Sequence, residues 1–197
     1  MIRIDKKLFF CFAIALAIVA MSCDSKKFKF GVSAKENYDS LFLGLYLGMD
    51  QKAFFDRCFE LNSQKIATNG RSVQSVLYVM EDELDHRVNM QFYPVFYKDK
   101  IIEMPVVFTF EGWAPWNKEF SSDSLLAQLL PVFEKWYGEG FKELDHEVMK
   151  KVYVKMDGKR RINLFIRDDQ YVQAVFSDME LLRERKKEEK EASGDKE

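Results

Sequence analysis

Two histidines, three cysteines and four prolines in 197 residues leave this chain poor in the groups with which most proteins do chemistry. It has no glycine-rich phosphate loop, no serine on a strand-to-helix elbow and no histidine beside a cysteine, so nothing in it builds a nucleotide site or a hydrolase. Charge of one sign is also missing. Thirty basic residues face 32 acidic ones, which removes the electrostatic footprint of a nucleic-acid binder. The longest leading apolar block, Leu8 to Ala20, is 13 residues, short of the roughly 20 that a spanning helix needs.

What that block does have is the right company. The basic segment MIRIDKK precedes it and the small residues Ala20 and Ser22 follow it, ending at Cys23. This is the n-region, h-region and cleavage-site order of a secretory signal. The cysteine resembles the acceptor of a bacterial lipobox, although Met21 and the lack of a leucine three before it depart from the commonest version. The resemblance implies cleavage after Ser22 and a diacylglycerol thioether on Cys23. Each buried CH₂ adds about 0.8 kcal/mol, so two or three acyl chains hold such a protein on a membrane where one would not.

Removal of residues 1–22 takes Arg3, Lys6, Lys7 and Asp5, leaving 27 basic and 31 acidic residues. With Cys11 lost in the leader and Cys23 acylated, Cys58 stands alone and no internal disulfide forms. Stability must then come from a hydrophobic core, for which 18 phenylalanines supply material.

Residues 23–40 read as the lipidated cysteine and a polar tether; the 17 residues from Asp24 to Ser40 reach no more than ~55 Å. Residues 41–112 read as a helix followed by three strands. Asp50 is a good N-cap, Met49 and Phe54 make a hydrophobic staple, and Phe54, Cys58 and Leu61 recur at helical spacing, which predicts a helix over 51–65 closed by TNGRS. The runs SVQSVLYVM, RVNMQFYPVFY and KIIEMPVVFTFE predict strands, with Pro94 and Pro105 marking edges or bulges. Residues 113–180 repeat the order: a helix capped by Ser121 or Ser122, kinked or divided at Pro131 and ended by Gly138, then three strands. Asp157-Gly158 within an alternating pattern predicts a type I′ hairpin, and RDDQ the next turn. Residues 181–197 form a charged helical tail. The expected fold is α+β, two helix-plus-antiparallel-meander halves forming one compact unit with a C-terminal charged helix. The tetrapeptide ELDH at 83–86 and 143–146 hints at duplication.

Gly48, Met49 and Asp50, opening a short helix before an antiparallel meander on a lipid-anchored chain, resemble the small outer-membrane lipoproteins of the BamE/SmpA type and the related tandem β-lactamase inhibitor proteins. The resemblance implies a binding or scaffold role and covers under a tenth of the chain. It departs where FELNSQKIATNG replaces a glycine-closed helix pair, and in the large second half.

Three sets of residues merit weighing as sites. His86 and His146 each follow an aspartate; neighbours on an extended segment point to opposite faces, so surface turns are expected rather than a metal site. Cys58, among Phe54, Phe55, Phe59 and Leu61, reads as a core hydrophobe rather than a nucleophile. Trp113 and Trp116 lie in a proline-containing loop and either anchor a partner or lid the sheet, with Tyr93, Phe96 and Tyr97 as possible extensions of the patch. The sequence thus reads as an exported, lipid-anchored cell-envelope protein. Its expected role is a non-enzymatic interaction or assembly module with an envelope protein partner, without cofactor or metal. The alternative is a small-ligand or glycan-binding lipoprotein using the Trp113/Trp116 loop. A concave aromatic pocket would favour the ligand and a flat apolar patch the protein.

Overall fold

The computed structural model describes residues 38–70 and 74–194; Cys23, with the leader and most of the tether, lies outside them. Asp50 has extended backbone and its carboxylate accepts from the Ala53 N–H, opening α1 over Gln51–Ser63. Met49 and Phe54, the two staple residues, are both buried. Five strands follow: β1 Ala67–Asn69, β2 Val76–Met80, β3 Val88–Phe92, β4 Val95–Tyr97 and β5 Lys100–Phe110. After a 3-10 turn at Lys118–Phe120 come α2 (Ser122–Tyr137), β6 (Lys142–His146), β7 (Lys150–Asp157), β8 (Arg160–Ile166), β9 (Val172–Asp178) and α3 (Met179–Ser193). The fold is α+β. All strands join one antiparallel sheet in the order β1-β2-β3-β5-β9-β8-β7-β6, with β4 also on β5.

Each helix is thus followed by a meander, but of five strands and four rather than three and three. The added strands are β1, built from residues expected to close the helix, β4, split from β3 at Tyr93 and Pro94, and β6, which contains the second ELDH. The five residues of β6 are all exposed, so they carry no apolar alternation to reveal them. The first ELDH lies in an irregular segment before β3. The two tetrapeptides therefore do not share a conformation, and the turn expected at the second is corrected to a strand.

The sheet explains its prolines. Pro105 lies in the interior of β5, opposite Val175 of β9, where an edge or bulge was expected. On its other side the register with β3 ends at the Phe92–Val106 pair and that with β4 begins at Val95–Glu103. Pro105 occupies the gap between them, where a missing donor costs least. Pro131 lies inside α2, which runs unbroken through it. Both Pro131 and Ala127, whose carbonyl loses its donor, are exposed to water. The β7–β8 hairpin closes at the Asp157–Arg160 pair. Its loop is therefore Gly158-Lys159, with positive φ at Gly158 alone, the pattern of a type II′ turn rather than type I′.

One face of the sheet carries the core. Leu125, Leu129 and Phe133, four residues apart on α2, are fully buried; Phe133 stacks on Phe176 of β9 at 6.0 Å and meets Phe108 of β5 edge-on at 5.9 Å. The segment before α1 completes this layer. Leu41, Phe42, Leu43, Leu45 and Leu47 are all buried although they belong to no regular element. This strap folds on itself through the Ser40–Tyr46 bridge, turning at Leu43 and Gly44, both at positive φ. Three side chains grip its carbonyls: Arg57 Nε donates to Leu43 O at 2.8 Å, the Tyr137 hydroxyl to Leu41 O at 3.1 Å, and Arg160 Nη1 to Ser40 O at 2.6 Å.

Candidate functional site

At the end of β5 the chain turns through Gly112 into the tryptophan loop. Trp113 N–H bonds back to Phe110 O, and Asn117 N–H to Ala114 O. Asn117 Oδ1 then accepts from Glu119 N to start the 3-10 turn, and Ser121 Oγ accepts from Ser124 N to cap α2. The β8–β9 turn faces this loop. Asp168 Oδ1 accepts from the N–H groups of Gln170 and Tyr171, and the Arg167 guanidinium lies over the Tyr171 ring at 4.3 Å. Two bonds tie the loops together at one atom: Trp113 Nε1–H and Ser122 N–H both donate to Asp169 O, at 3.3 and 3.2 Å.

Between these two loops opens a cleft of about 630 Å³, with Trp113, Pro115 and Tyr171 on its walls. Its volume falls within the roughly 300–1,000 Å³ of small-molecule sites. The two tryptophans part ways here. Trp113 is half-buried and hydrogen-bonded, as a lid over the sheet end would be, whereas Trp116 is 84% exposed and is not part of the cleft lining. A tryptophan that exposed gains little from folding.

The polar lining is largely unspent. Ser122 is 3% exposed, and its hydroxyl, like the carboxylates of Asp123 and Asp169 and the ammonium of Lys118, makes no hydrogen bond or ion pair among the described residues. A larger cleft of about 870 Å³ lies at the opposite end, against the strap. There part of the charge is matched, although Lys100 and Glu180 on its lining make no ion pair among the described residues. Lys159 Nζ lies 3.2 Å from Asp39 and 3.0 Å from Asp178; burial works against its charge, but those two partners outweigh it and hold its pKa above the usual lysine value.

The other sequence candidates separate. His86 Nε2 lies 3.0 Å from Glu119 Oε1, its ring edge-on to Phe120 at 4.9 Å. His146 sits five strands away on β6, its Nδ1 accepting from the backbone N–H groups of Val148 and Met149. Among the described residues no group of three or more His, Cys, Asp or Glu is placed to hold a metal ion. Cys58 packs against the core, and burial pushes its thiol up to about 11, so at neutral pH it keeps its proton. Phe55 and Phe59, expected around Cys58, instead point outward, 47% and 78% exposed; at about 100° per residue they lie roughly 60° and 100° beyond Cys58, the edge of the inward stripe of Phe54, Cys58 and Leu61. Tyr93 and Phe96 are edge-on to Phe54; neither lines the tryptophan cleft, although Tyr93 lines a smaller one with Arg167 and Tyr171. Sequence reading missed Ser122, Asp123 and Asp169, because only the fold brings the β8–β9 turn against the start of α2.

No family model, curated protein or solved structure matches the chain. The cleft's chemistry is therefore the basis on which its function is read.

Proposed function

We propose that this chain is an exported cell-envelope lipoprotein, anchored through Cys23, that acts as a non-enzymatic interaction or assembly module and docks its partner at the Trp113/Trp116 end. The observation that carries this reading is polarity along the sheet. Tyr38, the first described residue, packs on the β7–β8 turn, where a Cβ on Gly158 would sit 3.0 Å from its ring. That turn lies at the β5 end marked by Glu103, through the Arg160–Asp178 and Ser177–Glu103 pairs. The tryptophan loop leaves β5 at its other end, after Phe110. The two are separated by most of an 11-residue strand, on the order of 30 Å at 3.3–3.4 Å per residue. The chain leading from Cys23 thus joins the folded part at the end opposite the cleft and Trp116.

The concavity of the cleft favours a second reading, a small-ligand or glycan-binding lipoprotein using the same loop. Two experiments test the proposal. Cells fed labelled palmitate should label the parent chain and not Cys23→Ala; label in both, or in neither, removes the anchor. Crosslinking in intact cells should yield partners that the Trp113→Ala/Trp116→Ala double variant loses. Unchanged crosslinks remove this end from consideration.

A further inference from the structure

The geometry points to a neutral saccharide as the occupant of the tryptophan cleft, a deepening that rests on the second reading above. Besides the Gln170 amide, four polar side chains in the cleft have no partner among the described residues. Asp123 and Asp169 present carboxylates, which only accept hydrogen bonds; Lys118 presents an ammonium, which only donates. Ser122 presents a hydroxyl that does both, and it is buried against the cleft without a partner among the described residues.

A cationic ligand would match the two carboxylates but meet Lys118, and an anionic one would match Lys118 but meet Asp123 and Asp169. A sugar hydroxyl is at once donor and acceptor, so a ring bearing several of them satisfies all four groups without opposing any. The walls supply the remaining requirement. A saccharide carries an apolar C–H face beside its hydroxyl edge, and the flat ring of Trp113 is a surface of matching shape. Trp116 is outside the lining but stands in the chain between Pro115 and Asn117, which are part of it, and its largely exposed ring offers a second aromatic surface for a further sugar of a chain. Tyr171 is less available, because Arg167 already covers one face of its ring.

In the larger cleft beside the strap, Lys159 is held between Asp39 and Asp178 and Glu184 reaches Lys98, while Lys100 and Glu180 make no ion pair among the described residues. Groups that satisfy one another hold a fold together. Groups left free against a buried hydroxyl and an aromatic wall await a partner.

The test uses the soluble chain beginning after Cys23, with ligand-observed NMR and tryptophan fluorescence as readouts. The probes are cellotetraose, tetra-N-acetylchitotetraose and tetralysine. Saccharide binding by the parent, with affinity at least tenfold weaker in Trp116→Ala and in Ser122→Ala while the far-ultraviolet circular dichroism is unchanged, supports the assignment. Binding of tetralysine alone overturns it in favour of a cationic segment. Saccharide binding that either variant retains in full overturns it by placing the sugar elsewhere, and no binding by any probe overturns the glycan assignment. None of these outcomes alters the crosslinking result, so the interaction reading stands or falls separately.

Discussion

The two ends of the sheet are built from similar parts and put them to opposite use. At the strap end, Arg160 is 4% exposed and its guanidinium is shared between Ser40 O, Asp157 at 2.9 Å and the face of Tyr137 at 5.0 Å. At the tryptophan end, Lys118, Asp123 and Asp169 spend no side chain on the fold. A buried charge that loses its partners is costly, whereas an exposed unpartnered one costs little. The strap end is therefore where substitution should unfold the protein, and the tryptophan end where it should only change what the protein meets.

The largest effect that would sharpen this contrast is expected from Arg160→Ala. It leaves Asp157 with Lys155 alone and releases the Ser40 carbonyl, so the cost should be about 3 kcal/mol, read as a lower urea midpoint at unchanged m-value. Tyr137→Phe comes next. It leaves the Leu41 carbonyl without its 3.1 Å donor but keeps the ring, and about 1 kcal/mol should be lost. Trp116→Ala and Asp169→Asn, at the other end, should each stay within about 0.5 kcal/mol of the parent. A loss there as large as that of Tyr137→Phe would break the comparison, since it would make the cleft structural.

The smallest effect concerns acid. Glu188 is held below the usual carboxylate value by hydrogen bonds from Lys98 and Tyr97. A carboxyl depressed in the folded state stabilises it above its unfolded pKa of about 4.3, and that stabilisation is lost as pH falls through the lower folded value. Glu188→Gln should thus flatten the acid side of the stability–pH profile slightly, with no change at the tryptophan end. Because the group is at the surface, salt should erase most of the difference.

How much of this was legible depends on whether local chemistry decided the matter. The Asp50 cap, a cap at Ser121 or Ser122 and the alternating β8 are written in spacing alone, and the structure has Asp50, Ser121 and β8 where spacing puts them. The strap was not legible, because LFLGLYLG alternates like a strand yet is buried as a coil gripped by Arg57, Tyr137 and Arg160, three residues remote in sequence. β6 escaped for the opposite reason: a five-residue edge with one apolar side chain has no pattern to read. Of the cleft, the tryptophan loop stood out by composition. Its facing wall did not, since RDDQ shows only that a turn exists and not that Asp169 O receives both Trp113 and Ser122.

β6 also bears on life at a surface. Proteins moored in a plane meet one another far more often than free ones, and a sheet that ends in an open rim offers each neighbour a row of unpaired amides to continue. Here the terminal ladder reads Lys142, Glu143, Leu144, Asp145, His146, so a copy pairing with the same edge would set Glu143 against Asp145 twice if antiparallel, and Lys142, Glu143 and Asp145 each against its like if parallel and in register. Copies anchored as proposed should thus slide past one another at this edge rather than stack.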